Sequence, residues 1–245
     1  MTTATYTRYE LLRTVRNKPF FFFSLVFPVV LYVVIAGPQK GDENFADSGV
    51  PASLYYMVGL VTFGTMTAML SSGARIAIER TVGWTRQLRI SPLTPGSYFR
   101  TKLLTAYMMA MLTIAVLYAV GLAFGVRLPL DSWLKMTAFI LVGLVPFGAA
   151  GVLLGHVLTP DSIGPVMGGG SSLLALLGGV WFPVEKGTVI YPVARLLPTY
   201  WLVQASHIAT GGDGWGAVGW AVITFWTVVF STLAVWFYRR DSGRV

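Results

Sequence analysis

The side chains able to do chemistry are few in this chain and poorly placed for it. There are no cysteines, which removes a thiolate nucleophile, a thiolate metal site and a disulfide frame together. The two histidines, His156 and His207, are far apart in sequence. Each reads as a solvated or hydrogen-bonded interface residue rather than a catalyst. No His-x-x-x-His pair or Asp/Glu cluster has metal-ligand spacing. Gly-x-Ser-x-Gly is absent, and no two carboxylates are placed for acid–base work. Glycine is frequent, at 27 residues, yet no G-x-x-x-x-G-K-[ST] run exists to cradle phosphates, so ATP is not expected to bind this chain. No cofactor is expected on it either.

One polar stretch does stand out. Residues 79–95 read ERTVGWTRQLRISPLTP, too polar for lipid and too long for a tight turn. Residues 79–89 can form a helix with Trp84 and Leu88 at i, i+4 on one face and Arg80, Arg86 and Arg89 on the others. Ser91-Pro92 stops it, because the residue before a proline is pushed out of the α region. An aromatic knob with a charged collar suits docking into a groove on another protein. A loop that merely bears positive charge explains the same residues.

The elements that must position this stretch are apolar. Of 245 residues, 55% are hydrophobic and only 11% charged, against about 25% charged in a soluble domain. Runs at 20–36, 54–74, 103–126, 133–158, 163–182 and 215–238 carry almost no charge. At 1.5 Å per residue each is long enough, or nearly so, to cross a hydrocarbon core of about 30 Å. The fold expected is an all-α polytopic membrane protein with six transmembrane helices, forming one transmembrane domain over 1–245. A cleavable signal in place of the first run fails to account for the other five.

Charge placement orients it. Arg8, Arg13, Arg16 and Lys18 precede the first run. Arg75, Arg80, Arg86, Arg89, Arg100 and Lys102 lie in the 75–102 connection, and Arg239, Arg240 and Arg244 form the tail. The opposite connections hold only Lys40, Arg127, Lys135, Lys186 and Arg195. Six crossings put the three basic segments on one side, so both termini are expected in the cytoplasm of a multi-pass plasma-membrane protein. Topology and anionic lipid then account for the net charge of +8, and nucleic acid is not an expected partner. Within 1–19, residues 5–18 read as a short helix with a Tyr9, Leu12, Val15 stripe, ended by Pro19. It is either an interfacial helix or a topogenic basic tail.

The pattern Glu79-Arg80-x-x-Gly83-x-x-x-x-Leu88-Arg89-x-Ser91-Pro92 resembles the cytoplasmic signature of ABC transporter permeases of the type-2 exporter class, which includes daunorubicin-type drug exporters. The resemblance implies that this loop carries a coupling helix, with Trp84 and Arg86 in it, that touches a nucleotide-binding ATPase subunit. Arg86 departs from the family, where many members carry an acidic residue. A second likeness lies in 178–205, an apolar run broken by Pro183, Pro192 and Pro198 and holding Glu185, Lys186 and Arg195. Phe182-Pro183 followed by Leu197-Pro198-x-Tyr200-Trp201 is similar to the family's re-entrant hairpin, here over 183–210. Two short helices dipping into the outer leaflet would satisfy its polar backbone; an extracellular loop with an aromatic belt is the alternative.

The resemblance further implies a second permease subunit, identical or homologous, with ATP and magnesium held by the ATPase partner. It places the second and fifth spans along the dimer interface and substrate path. Phe63, Met66, Thr67 and Leu70 on one, and Met167, Ser171 and Leu174 on the other, recur at helical spacing there. Gly168, Gly169 and Gly170 permit local unwinding in the fifth. An ion-coupled transporter normally keeps ionisable residues at membrane depth, and the middles of these runs have none. The expected activity is export of an amphipathic drug, antibiotic or lipid, with a lipid-linked glycan or polysaccharide as the second choice.

Overall fold

Long uncharged runs leave the backbone no polar partner but itself, and helices satisfy it locally. The computed structural model describes residues 3–36, 50–83, 94–212 and 214–242, and among these all regular structure is helical. Helix α1 is Thr3–Arg16, α2 Lys18–Ala36, α3 Ala52–Thr81, α4 Pro95–Ala123 and α5 Leu130–Val157. A broken helix, α6, covers 160–177. Three short helices follow, α7 Ile190–Arg195, α8 Pro198–Val203 and α9 Ala205–Ala209, and then the long α10, Gly216–Ser242.

Five of these are long and apolar enough to cross a membrane: α2, α3, α4, α5 and α10. The expected fifth run, 163–182, does not meet that description. Pro160, Asp161, Pro165 and the triple glycine dilute it, and the helix ends at Leu177. It lies antiparallel along α3, with Met167 beside Ser71 and the chain just past its end bonded to Tyr55.

Helix α3 is the axis of the molecule. Ahead of Arg75 it has no charged face, as suits a helix buried on every side, and 94% of its most apolar stretch is buried against 17% for that of α10. Close approach makes this possible. A Cβ on Gly73 would lie 2.0 Å from the Gly151 carbonyl carbon, and one on Gly155 would lie 2.4 Å from the Gly73 oxygen. Gly151 and Gly155 form a G-x-x-x-G pair whose missing side chains let α5 lie backbone to backbone on α3.

Helix α2 opens with Pro19 in its first turn and not, as expected, with Pro19 ending the helix before it. The break falls at Asn17, whose side chain accepts from the Phe20 N–H at 3.2 Å. A π turn at Phe22–Val26 precedes Pro28. Proline has no N–H to give the Ser24 carbonyl, and Thr113 supplies it instead from α4 at 3.1 Å. Helix α5 likewise breaks at Leu144 ahead of Pro146, where Tyr107 donates to the Leu141 carbonyl at 3.1 Å.

Past α6 the expected two short helices are three. The aromatic residues cover their exposed carbonyls: Trp201 Nε1 donates to Arg195 at 2.9 Å and Trp226 Nε1 to Leu196 at 2.7 Å. Pro198, Tyr200 and Trp201 are buried, Pro183 is half-buried, and Phe182 stands 65% exposed. Tyr55 donates to the Gly179 carbonyl, and Gly179 itself takes φ +80, so this corner depends on glycine.

The opposite end of the bundle gathers the basic segments. Helix α1 packs on α4 there, with the hydroxyls of Thr7 and Thr101 3.2 Å apart. The Tyr238 ring of α10 meets Phe99 at 5.2 Å and His156 at 5.6 Å. His156 is therefore a buried ring among aromatics, because α10 closes over it.

Candidate functional site

Helix α3 does not stop at residue 74, where its apolar run ends. It continues to Thr81, carrying Arg75, Glu79 and Arg80, because each charge finds a partner on a neighbouring helix. Glu79 is 1% exposed. Its Oε1 accepts from Lys102 Nζ at 2.5 Å and from Arg13 Nη1 at 2.7 Å, and its Oε2 accepts from the Tyr98 hydroxyl. Lys102, 2% exposed, also donates to Glu10 of α1. Arg75 reaches Thr14 Oγ1 at 2.9 Å and Glu10 at 3.8 Å, with its guanidinium 5.1 Å from the Phe20 ring centre. Its Nε and Nη1 have no hydrogen-bond partner among the described residues.

This is a node of three cations and two carboxylates drawn from α1, α3 and α4, buried except for Arg13. Taking such charges out of water costs several kcal/mol per ion, recovered only when the hydrogen bonds are as complete as those around Glu79. A node of this kind holds its three helices in one arrangement. Among the described residues no group of three or more His, Asp or Glu side chains could hold a metal, and both carboxylates of the node already have cationic partners.

Arg80 faces the other way. Its Nη1 donates to the carbonyls of Gly155 at 3.2 Å and His156 at 2.7 Å, at the C-terminal end of α5. A cation at a helix C-terminus satisfies otherwise unbonded carbonyls and meets the negative end of the dipole. Gly83, at φ +72, then closes α3, while the Val82 N–H bonds to the Ile78 carbonyl at 3.2 Å. A left-handed glycine here is the usual helix stop. The Glu-Arg-x-x-Gly part of the motif thus has a physical account. Glu79 fastens α3 to α1 and α4, Arg80 fastens it to α5, and Gly83 releases the chain. Glu79, expected as an ATPase contact, is internal in this chain. Trp84, Arg86, Leu88, Arg89, Ser91 and Pro92 lie outside the described residues.

The expected substrate-path side chains are brought together, but as packing. Phe63, Met66 and Leu70 are in the main apolar core, and Met167 and Leu174 pack against it. Phe63 meets Phe27 at 5.9 Å and Trp181 at 5.4 Å. Ser171 returns its hydroxyl to the Met167 carbonyl one turn back. Thr67 Oγ1 is buried with no hydrogen-bond partner among the described residues.

Comparison with known proteins bears on the whole chain. Residues 2–209 match the family described as "ABC-2 type transporter". The chain belongs to the ABC-2 type transporter family. It is also 27% identical over 243 residues, covering 96% of each chain, to the Bacillus subtilis (strain 168) protein named "Putative transport permease YvfS". An ABC-2 permease is the membrane component of an ABC transporter and not its ATPase, so the family implies an ATPase partner. It also accords with the helices long enough to span a bilayer, which mark a multi-pass membrane protein.

Sequence reasoning passed over Glu10, Arg75, Tyr98 and Lys102 as members of this ABC-2 permease's charge node. A signal existed. Glu10 is the one carboxylate before Asp42, and Glu79 the one between Asp47 and Asp131. A lone acid in a basic segment of a membrane protein asks for a partner. Tyr6, Glu10 and Thr14 also repeat at i, i+4 and i+8, and all three are buried. The stripe picked out for α1, Tyr9, Leu12 and Val15, is its exposed side.

Proposed function

We propose that this chain is one of two permease subunits of an ATP-driven exporter, the second being identical or homologous. Two ATPase subunits, carrying the ATP and magnesium, dock on its basic, cytoplasmic end. The observation that carries this proposal is the position of Glu79 and Arg80. They tie α1, α4 and α5 to the last turn of α3, one turn before the chain enters 84–93. Force applied to that loop reaches four helices at once, which is what a coupling element requires. The contacting residues in this proposal are Trp84, Arg86, Leu88, Arg89, Ser91 and Pro92, with Glu79, Arg80 and Gly83 as the anchor behind them.

Six crossings are supported by connectivity. Helix α5 finishes beside Arg80 at the basic end, while α10 starts beside Phe139 and Trp201 at the other. The chain between must cross, and α6, about 27 Å long at 1.5 Å per residue, lies along α3 to do so. The gathering of α1, the end of α3 and Tyr238 at one end supports cytoplasmic termini by the positive-inside rule. The short helices α7, α8 and α9 then form the outer re-entrant hairpin.

The proposed cargo is an amphipathic drug, antibiotic or lipid. Phe63, Met66 and Leu70 with Met167 and Leu174 offer an apolar wall, and Thr67 and Ser171 offer hydroxyls. Since these side chains are packed together in one chain, passage needs α6 to part from α3, and its triple glycine makes that inexpensive. The Phe63–Trp181 pair favours a lipid-linked glycan or polysaccharide as the second choice, because sugars stack on aromatic faces.

Co-expression with the cognate ATPase tests the assignment: the subunits co-elute, and ATP hydrolysis depends on the permease. Gly83→Ala has room for its methyl and costs about 1 kcal/mol for the left-handed backbone, so it leaves the fold intact and lowers permease-dependent hydrolysis. Unchanged hydrolysis would remove the coupling role. Transport by the chain alone on a proton or sodium gradient would replace the exporter with an ion-coupled carrier.

A further inference from the structure

Helix α1 has a second face that the charge node does not use. Tyr9, Leu12, Arg13 and Arg16 follow at i, i+3, i+4 and i+7 and are all exposed, Tyr9 at 60% and Leu12 at 44%. With Asn17 they line an open groove of about 550 Å³. The lining is mainly apolar, with two guanidinium groups and no acid.

Its depth is set by the chain. Asn17 is the break between α1 and α2, and Lys18 begins the first helix long enough to cross the membrane. Phe22 and Phe23, 46% and 52% exposed, follow one turn further along α2 and add exposed apolar surface on the membrane side of the break. The two arginines therefore sit where the chain passes from water to hydrocarbon, at the level of lipid phosphates, with apolar side chains on the acyl side. An ATPase subunit would be expected to approach the far, aqueous end of the bundle, whereas this groove opens at the bilayer entry point.

We propose that this groove binds one anionic phospholipid, with Arg13 and Arg16 on the headgroup phosphate and Tyr9 and Leu12 against the first acyl carbons. The site rests on the chain crossing a membrane and not on any choice of cargo or coupling partner. It has a built-in connection to the node. Arg13 is 48% exposed at its side chain and bonds Glu79 at 2.7 Å, so one guanidinium serves both the lipid phosphate and the buried carboxylate. Anionic lipid at the groove is then felt at the last turn of α3.

The test uses the full chain purified in detergent, with bound lipid counted by native mass spectrometry. Phosphatidylglycerol and phosphatidylcholine of identical acyl chains are titrated separately, and inorganic phosphate is added in a third arm. One phosphatidylglycerol is retained well above phosphatidylcholine. Arg16→Gln, which touches no node residue, weakens it about fivefold, the contribution of one basic residue at a membrane surface. Arg8→Gln, exposed but outside the groove, leaves it unchanged. Equal retention of the two lipids, or an Arg16→Gln variant that binds like wild type, would overturn the site. Displacement by millimolar phosphate would make it a soluble-anion site instead, and displacement by added ATPase subunit would assign the face to that protein. None of these outcomes depends on ATP hydrolysis, so the exporter assignment stands or falls separately.

Discussion

The two ends of α3 are fixed by opposite means. At residues 75–80 the helix is held by charge: Glu79, Lys102 and Arg13 meet within 2.5 to 2.7 Å, and Arg80 caps α5. At residues 52–59 it is held by shape. Gly59 lies under the Val180 backbone, where a Cβ would be 2.7 Å from the carbonyl oxygen, and Tyr55 donates to Gly179. The charged lock is directional and fails abruptly when one member is lost, since the remainder is left uncompensated. The shaped lock is graded and yields by atoms. The proposed drive from one side would need a firm grip at the driven end and tolerance at the other, and α3 combines both.

Substitutions can break this contrast, beginning with the largest effect. Lys102→Met removes the cation shared by Glu10 and Glu79 and is expected to cost about 3–5 kcal/mol, read as a loss of thermal unfolding midpoint in detergent. Adding Glu79→Gln to it should restore part of that loss; a double variant no better than the single would mean that lost packing of the lysine stem, not unpaired charge, sets the penalty. Gly59→Val at the other end forces Val180 to move and is expected to cost about 1–3 kcal/mol, measured the same way. Tyr55→Phe removes one buried hydrogen bond, about 1–2 kcal/mol, and leaves the Gly179 carbonyl without that donor. Arg13→Gln, at a half-exposed member of the node, should cost less than any of these, about 1 kcal/mol. Its cost should shrink further in high salt, while that of Lys102→Met should not.

Much of the architecture was legible in the residues themselves. Charge-free runs identified the long helices, and lysine and arginine clustering identified the segments that meet at one end. The triple glycine at 168–170 marked the fifth run as one that could unwind, but Pro160 and Pro165, which also dilute it, were not weighed. What escaped was whatever depends on distant pairing. Glu10 and Lys102 are 92 positions apart, and no local period links them. Helix α1 looked like a lipid-facing stripe with arginines elsewhere, because its buried side is polar and hydropathy cannot distinguish a polar face in water from one in a charge node. The extension of α3 to Thr81 was hidden for the same reason. The G-x-x-x-G at Gly151–Gly155 was readable as a motif, but which helix it would meet was not.

The spacing of the node along the chain also bears on how the protein is made. Glu10 emerges from the ribosome early, Glu79 after two spans have been threaded, and Lys102 only at the start of the third. Until that lysine arrives the two acids lack the one ammonium that bonds to both of them. The final clasp therefore closes after insertion has advanced that far, and it acts as a checkpoint in assembly: a nascent chain in which one of the first two spans fails to cross would leave Glu79 and Lys102 on the opposite side of the bilayer from Glu10, with the clasp unable to form.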